Sequence, residues 1–536
     1  MARFARVAAL FAVLTVVMTW PQVTRLATSA AGHQDVFFNM WRFGWVAHAM
    51  ATAPLHVLDG NIFHPEQRAL TFSDAMPVEA FIAAPLLWAA VPPVLVHNLL
   101  LLAGIVLSAS GIAMLATSLT GSGAAGITAG IIFAFVPYRF EHYMHMELQW
   151  TVWIPWAFWA LHRTFETGSR RHAGLVGAFV ALQFMSSIYY GVFLATLLGL
   201  AAALFLCATR KGDLKSRLSA LGIAAATAAI LTAPYAIPYA ATKQRVGPRS
   251  EEQALTFSAR PSNYLVATDS NYLYGQRSEP RGRPERRLFP GILPLLLAVV
   301  GLLLRRPSVE AIVYLLVLVA AFEMSLGFYG YTFDFLYHHV PPFDALRAPA
   351  RLGMFVVFFL AILAAYGHAA LEMATPARIR WVLLVAISSV LLLEYWVAPL
   401  RLVPFPNDPP PLYAWLAKQP RGVVTEFPMP TADTLPGDEP RYAYMSTFHW
   451  MPTYNGYSGY YPLSYLTRLE QLRRMPDDSA LEALLRDRVR YVIVHSSLYQ
   501  PAHAERVLTA IGRSPLFVEL GRFDDGQGTA IVFTPR

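Results

Sequence analysis

Residues 94–118 read VLVHNLLLLAGIVLSASGIAMLATS and contain no Asp, Glu, Lys or Arg. A run this long and this apolar matches the roughly 20 residues that an α-helix needs to cross a bilayer. The rest of the chain follows the same pattern, because 55% of its residues are hydrophobic, only 14% are charged and its mean hydropathy is +0.41. Such a composition excludes a water-soluble globule of 536 residues. We predict a polytopic α-helical membrane protein.

The same length criterion, applied along the chain, predicts about eleven transmembrane helices. The apolar stretch at residues 77–92 is not among them, because Pro85 lies inside it and Pro92-Pro93 ends it. We interpret this stretch as a helix at, or dipping into, the membrane surface. The predicted spans are residues 4–20, 94–118, 122–137, 148–163, 172–189, 191–208, 218–240, 289–304, 309–326, 351–371 and 380–398.

The basic residues predict the orientation, since short loops rich in Arg and Lys stay in the cytoplasm. With the amino terminus in the cytoplasm, every basic cluster falls on the cytoplasmic side. Counting residues 77–92 as a full span would reverse all later segments. The first segment also resembles a signal peptide, but we expect it to be retained as a helix. The clusters are Arg3 and Arg6; Arg163, Arg170 and Arg171; Arg210, Lys211, Lys215 and Arg217; Arg305 and Arg306; and Arg378 and Arg380.

The layout predicts two domains. Residues 1–403 form the membrane domain, with outer loops at residues 21–93, 138–147, 241–288 and 327–350. The proline-rich stretch PFPNDPPP at residues 404–411 begins a soluble α/β domain over residues 404–536. Strand patterns cover residues 423–427, 490–495 and 529–534, and a helical pattern covers 479–488. The aromatic run YNGYSGYY at residues 454–461 fits either a sugar-stacking or lipid-contacting surface, or a rigid packed loop.

Charge and cysteine content exclude other classes. The net charge of +8 would suggest nucleic acid in a soluble protein, but here much of it lies in short loops, so we expect no nucleic-acid partner. Cys207 is the only cysteine, so no intrachain disulfide can form. The absence of an Asn-x-Ser/Thr site is consistent with a bacterial origin. We therefore expect a bacterial cytoplasmic membrane protein whose C-terminal domain lies outside the cytoplasm.

The first outer loop contains the stretch GHQDVFFNMW at residues 32–41. A carboxylate such as Asp35, placed at a membrane edge among aromatic residues, loses hydration that ordinary packing would retain. It therefore indicates a partner or a chemical task. His33 lies two residues before it.

The second outer loop reads YRFEHYMHME at residues 138–147 and crowds ionisable groups between two spans. Helical winding would place Glu141 and His145 on one face. With Asp35 alongside, this group could bind a divalent metal or serve acid–base chemistry. His142 and His145 are spaced like a metal-binding pair, although two histidines alone are a weak signal. We favour hydrogen-bonding or acid–base roles and leave the metal open.

Basic residues form the third element. Arg347 and Arg351, in the stretch RAPAR, lie where the tenth span enters the membrane from outside. Two guanidinium groups suit a phosphate or pyrophosphate, because each offers paired donors. Contact with lipid headgroups, or a salt bridge to Asp344, is an equally good interpretation. The long loop at residues 241–288 is rich in arginine and has the length of a segment that covers a site.

Along the chain, one span is followed by an acidic outer loop, two further spans and a second acidic outer loop. This order resembles that of the GT-C superfamily of integral membrane glycosyltransferases. The resemblance implies that Asp35 is the catalytic base or orients the acceptor, and that Glu141 or Glu147 is the second-loop acid. It also implies that Arg347 and Arg351, with Arg139 beside them, bind the phosphate of a polyprenyl-phosphate donor. His33 and His145 are further candidates for catalysis. The family often has adjacent acids in its first loop, whereas here His33 precedes a lone Asp35, so dependence on Mg²⁺ or Mn²⁺ stays open.

The predicted function is transfer of a sugar from a polyprenyl phosphate to a glycan, lipid or protein acceptor outside the cytoplasm, with inversion. This interpretation requires Asp35, the Glu141 segment and Arg347 to meet in one pocket. A transporter or flippase of lipid-linked saccharides is the alternative, but no pair of interrupted helices in matching halves indicates inverted repeats. A membrane-anchored assembly factor is a third interpretation, and under it Asp35→Asn would be silent.

Overall fold

The computed structural model describes residues 2–208, 214–275, 283–304 and 306–536. Arg210, Lys211, Arg281 and Arg305, which belong to the basic segments above, lie outside the described residues. The described chain divides into two compact units. The first contains Met1–Arg25, Leu99–Ile237 and Gly247–Arg401, and the second contains Leu26–Asn98, Pro238–Val246 and Leu402–Arg536.

The first unit is helical, and each predicted span coincides with a helix. Among the described residues, five helices are long and apolar enough to cross a membrane, which marks the chain as a membrane protein. The number of about eleven spans stays a prediction. The longer helices are Ala2–Met18, Pro93–Thr120, Gly123–Phe135, Trp153–Thr167, Arg170–Ser186, Ile188–Ala208, Leu214–Val246, Ile292–Leu303, Val309–Ser325, Gly353–Ala374 and Arg380–Glu394, and the shorter ones are Pro137–Glu141, Met146–Gln149, Glu251–Thr256 and Thr332–His339. Residues 93–98 and 238–246, at the ends of two of these helices, belong to the second unit.

The helix Gly353–Ala374 lies at the centre of this unit. It packs against Ile292–Leu303, Val309–Ser325 and Gly123–Phe135, and its residues from Gly353 to Ala365 are all buried. The helix Ile292–Leu303 approaches it closely, because a methyl group at Gly367 would overlap the backbone carbonyl of Leu297. Small residues allow such close approach between apolar helices. The segment Pro349–Leu352 leads directly into this central helix and contains Arg351.

The second unit combines the first outer segment with the C-terminal segment. Two short strands, Ser29–Ala31 and Leu402–Pro404, pair antiparallel. A four-stranded sheet has the order Val423–Phe427, Val489–His495, Thr529–Pro535 and Phe517–Asp524, with the first pair parallel and the others antiparallel. The helices of this unit are Gln34–Thr52, Pro77–Trp88, Pro411–Leu416, Glu439–Met445, Leu463–Leu472, Asp478–Arg486 and Pro501–Arg513.

The three strand patterns found in the sequence all form strands, and the helical pattern forms the helix Asp478–Arg486. The strand Phe517–Asp524 was not predicted. It lies at the sheet edge and is largely exposed, so its sequence FVELGRFD lacks a clear apolar alternation. The apolar stretch at residues 77–92 forms the helix Pro77–Trp88 of 12 residues. At 1.5 Å per residue it is about 18 Å long, which is too short to span a bilayer core of about 30 Å.

A buried charged network joins the strands of the sheet. His495 lies between two carboxylates, with Nε2 2.9 Å from Glu426 Oε2 and Nδ1 bonded to Asp525 Oδ2. The Tyr413 hydroxyl also donates to Glu426, at 2.7 Å, and the Tyr442 ring stacks on His495 at 5.2 Å. Burial alone would lower the pKa of His495, but its bonds to Asp525 and Glu426 outweigh burial and raise the pKa to about 9. The imidazolium is therefore a structural cation at neutral pH.

This network predicts that the sheet weakens in alkali. Because the folded pKa of about 9 exceeds the unfolded value of about 6.5, the stabilisation is complete below pH 6.5 and is lost as the pH rises through 9. We expect a loss on the order of 3 kcal/mol in the opening free energy of Val489–His495, with the loss absent in His495→Gln. Hydrogen exchange of the full-length protein, corrected for intrinsic rates, measures this opening free energy as a function of pH. A flat profile between pH 6 and 10 would contradict the assignment.

Candidate active site

Asp35 lies in the second unit, in the first turn of the helix Gln34–Thr52. Its side chain is only 13% exposed, and the Tyr457 hydroxyl donates a hydrogen bond of 2.6 Å to its Oδ1. A carboxylate in the first turn of a helix interacts favourably with the helix dipole. Asp35 is thus a shielded carboxylate with a phenol donor.

His33 is the N-cap of the same helix. Its Nδ1 accepts the backbone N–H of Asp35 at 3.1 Å. A ring nitrogen that accepts this hydrogen cannot also donate to Asp35 Oδ2, 3.4 Å away. The contact therefore caps the helix, and a catalytic part for His33 stays a prediction.

The second outer loop does not form one continuous helix. The helix Pro137–Glu141 ends before His142, and a separate turn begins at Met146. The expectation that Glu141 and His145 share a helical face is therefore wrong, because residues 142–145 lack helical winding. Instead, His142 and His145 turn toward each other, with their Nδ1 atoms 3.3 Å apart. Such a ring-to-ring hydrogen bond agrees with a hydrogen-bonding role.

Glu141 is held by an arginine from a distant loop. Arg287 Nη1 contacts both carboxylate oxygens of Glu141, at 3.0 and 3.1 Å, and its Nη2 lies 2.9 Å from Asp269. The side chains of Glu141 and Arg287 are 9% and 12% exposed, so this is a shielded ion pair. Glu141 is consequently fixed in place as a carboxylate. Its catalytic role stays a prediction.

Arg351 is buried at 6% exposure, at the start of the central helix of the first unit. Its Nη2 lies 3.5 Å from Glu285 Oε1, and its guanidinium stacks over the Tyr189 ring at 4.6 Å. The partial positive charge of a helix amino terminus adds to its own charge. Arg351 is thus a buried cation that faces the Glu285 carboxylate and lies within electrostatic range of Glu147.

Polar atoms without partners gather near this cation. Tyr138 and Tyr190 are buried and lie within electrostatic range of Arg351. Within the described part of the chain, their hydroxyl groups and the Nε of Arg351 have no hydrogen-bond partner. Leaving a buried donor unpaired costs about 1–3 kcal/mol, so such a group of donors indicates a site that a ligand or water completes. Oxygen acceptors of a phosphate match these donors.

Two titratable groups border the Arg351 cluster. Burial lowers the pKa of His142 to about 3, so its ring is neutral at physiological pH. Burial would raise the pKa of Glu285, but the positive charge of Arg351, 3.5 Å away, outweighs burial and lowers that pKa to about 2. Glu285 is therefore ionised, chiefly because Arg351 carries a full positive charge beside it. Within the cluster, the cation Arg351 therefore faces the anion Glu285.

The other two predicted phosphate ligands differ in their surroundings. The backbone N–H of Arg347 donates to the Tyr189 hydroxyl at 2.9 Å, and its guanidinium lies over the Phe257 ring at 5.4 Å. Tyr189 therefore connects Arg347 to Arg351. Arg139 is 2% exposed and donates to the carbonyls of Phe133 and Gln149 and to the Thr151 hydroxyl. These bonds hold loop backbone together, so we leave Arg139 out of the phosphate-binding group.

The described residues contain no cluster of three metal ligands. Among residues 2–208, 214–275, 283–304 and 306–536, no group of three or more His, Cys, Asp or Glu side chains is arranged to hold an ion. His142 and His145 supply at most two nitrogens, and these face each other. Two nitrogens are fewer than the four ligands of a typical zinc site. Dependence on Mg²⁺ or Mn²⁺ stays open, since these ions often bind through one or two side chains and a substrate phosphate.

The structure groups Glu141, His145, Arg347 and Arg351 in the first unit and His33 and Asp35 in the second. The single pocket expected from the sequence therefore stays a prediction. Sequence reasoning missed the roles of Arg287, Glu285 and Tyr457, which contact the predicted residues from far along the chain. In the sequence, these three residues were visible only as members of an arginine-rich loop or an aromatic run.

Comparisons with known proteins bear on the fold. No protein-family model matches the sequence, and no curated protein does either. Among solved structures, the arabinofuranosyltransferase AftD from mycobacteria matches 100% of this chain with a TM-score of 0.64 and 15% identity. This chain spans only 40% of the AftD chain. A second match is the oligosaccharyltransferase AglB from Archaeoglobus fulgidus, which was solved with an inhibitory peptide and a dolichol-phosphate. The match covers 98% of this chain and 74% of the AglB chain, with a TM-score of 0.51 and 11% identity.

Both of these solved proteins are GT-C membrane glycosyltransferases. The chain therefore has the GT-C fold, as the order of its spans and acidic loops predicted. At these identities the likeness establishes the fold, and function has to be argued from the site.

Proposed function

We propose that the protein is a membrane glycosyltransferase that moves a sugar from a polyprenyl-phosphate donor to an acceptor outside the cytoplasm. The observation that carries this proposal is the cluster around Arg351, in which a buried cation lies near unpartnered hydroxyl groups of Tyr138 and Tyr190. A phosphate is the ligand whose charge and acceptors fit this cluster. The GT-C fold supports the class of enzyme, and AglB was solved with a lipid phosphate, dolichol-phosphate.

In this proposal Arg351 stabilises the departing phosphate. The bond between the anomeric carbon and the phosphate oxygen breaks, and the phosphate keeps the electron pair. The added negative charge is stabilised by the guanidinium and the helix amino terminus, which are fixed before the reaction. The Tyr138 and Tyr190 hydroxyls donate to the same phosphate oxygens. Arg347, held through Tyr189, adds a second positive charge.

Asp35 acts on the acceptor. Its carboxylate takes the proton of the acceptor hydroxyl as the oxygen forms a bond to the anomeric carbon, so the sugar is transferred with inversion. The first-turn position, where the helix dipole interacts favourably with a carboxylate, suits Asp35 to this role. Glu141, in the second outer loop and fixed by Arg287, orients substrate hydroxyl groups.

The proposed location is a bacterial cytoplasmic membrane, with the amino terminus inside and residues 404–536 outside. The basic clusters support this orientation, and a lipid-borne donor explains why the enzyme has a membrane domain. The proposed acceptor is a glycan, a lipid or a protein, as the resemblance to GT-C glycosyltransferases implies. A transporter of lipid-linked saccharides is the alternative, and it would move its substrate without breaking the bond to phosphate.

Purified protein incubated with a panel of labelled polyprenyl-phosphate sugars and a cell-envelope acceptor fraction tests the proposal. We expect release of polyprenyl phosphate together with label in the acceptor. The matched control is the nucleotide derivative of each sugar, which should give no transfer. Transfer from the nucleotide sugar, or movement of intact lipid-linked sugar across vesicles without phosphate release, would contradict the proposed function.

A further inference from the structure

Tyr457 makes a side-chain hydrogen bond to Asp35 across a separation of 422 residues in the chain. The phenol oxygen lies 2.6 Å from Asp35 Oδ1, a short distance typical of an O–H group donating to a charged carboxylate. Both residues belong to the second unit. The contact therefore joins the first outer segment to the aromatic run at residues 454–461.

The Tyr457 ring is fixed from two directions. It packs edge-on against Phe38, with ring centroids 5.0 Å apart, and Phe38 lies one turn beyond Asp35 on the same helix. The two preceding residues are fixed by the buried carboxylate of Glu439, to which Asn455 Nδ2 and the Gly456 backbone N–H both donate. The phenol therefore reaches Asp35 from a rigid support.

Tyr454, the first residue of the aromatic run, has a different role. Tyr454 is 1% exposed, its ring is covered by the Arg468 guanidinium at 3.3 Å, and its hydroxyl donates to Asp487. Tyr454 thus cannot offer its face to a sugar. Within the run, Tyr457 is the residue for which the structure describes a bond to a predicted site residue.

We propose that Tyr457 is a positioning residue for sugar transfer: its hydroxyl holds the Asp35 carboxylate in the rotamer that accepts the acceptor proton. This inference rests on the proposed function. A carboxylate rotates about its Cβ–Cγ bond, and a hydrogen bond to one oxygen fixes the direction in which the other oxygen accepts a proton. Small errors in the placement of a general base lower the turnover rate while leaving substrate binding intact.

The test is a double-mutant cycle between Tyr457→Phe and Asp35→Ala in the full-length protein, with kcat and KM measured for both substrates. The phenylalanine keeps the ring that packs on Phe38 and removes only the hydroxyl. We expect Tyr457→Phe to lower kcat about 10- to 100-fold, the effect of losing a hydrogen bond to a charged group, and to leave KM within about 3-fold. In the Asp35→Ala background we expect no further loss.

The matched control is Tyr491→Phe, which removes a hydroxyl that donates to the Pro420 carbonyl at 2.8 Å in the same unit. We expect this control to keep full kcat, and we expect Tyr457→Phe and Asp35→Ala to keep wild-type hydrogen exchange in Val489–His495. An equal loss of kcat from Tyr457→Phe with and without Asp35 would overturn the positioning role. Full activity of Asp35→Ala alone would instead show that the proposed use of Asp35 is wrong, which is a separate result.

Discussion

Replacement of Asp35 by asparagine is expected to lower the rate of sugar transfer by about 10²- to 10⁴-fold, the range for loss of a general base. Asparagine has nearly the same shape, and its Oδ1 can still accept the hydrogen bond from Tyr457, so the fold should survive. What is lost is the ability to take a proton. The measurement is kcat for release of polyprenyl phosphate, with donor binding measured separately by its Kd.

The control for this variant is Asp59→Asn in the same unit. Asp59 accepts from the Arg68 backbone N–H at 3.1 Å and lies 2.7 Å from His56 Nδ1, so it holds a loop together. We expect Asp59→Asn to retain transfer. If Asp35→Asn were as active as this control, the chain would be better described as an assembly factor than as a transferase that uses Asp35.

The sequence predicted the helical part of the fold because the relevant signal is local. Long apolar runs fold into helices wherever a membrane is their solvent, and the run at residues 94–118 forms most of the helix Pro93–Thr120. The strands Val423–Phe427 and Val489–His495 were equally visible, since both are rich in β-branched and aromatic residues. The edge strand Phe517–Asp524 carries polar residues on an exposed face and gave no such signal.

The site was less predictable because its contacts join distant parts of the chain. Glu141 was identifiable as a carboxylate in an outer loop, but its partner Arg287 lies 146 residues away in a loop rich in arginines. Nothing in the spacing of that loop distinguished Arg287 from Arg286. Arg139 is predicted to bind phosphate because it lies next to the predicted site in the sequence. In the structure its guanidinium instead donates to the backbone carbonyls of Phe133 and Gln149.

The Arg351 cluster leads to the second large expected effect. Arg351→Gln should lower kcat/KM for the donor by about 100-fold, because a buried guanidinium that meets a phosphate makes strong charge-assisted hydrogen bonds. Part of the loss should appear in kcat, since negative charge grows on the departing phosphate. Steady-state kinetics with varied donor concentration measure both constants.

The matched variant is Glu285→Gln, which keeps the side-chain volume and removes the charge that Arg351 now faces at 3.5 Å. If Arg351 binds the donor phosphate, Glu285 competes with that phosphate, so Glu285→Gln should lower the donor KM by several-fold. If the pair is only structural, both variants leave one buried charge without its partner, and both should lose activity in parallel with thermal stability. The two interpretations therefore predict opposite signs for Glu285→Gln, and a raised KM in a protein with unchanged unfolding temperature would contradict phosphate binding by Arg351.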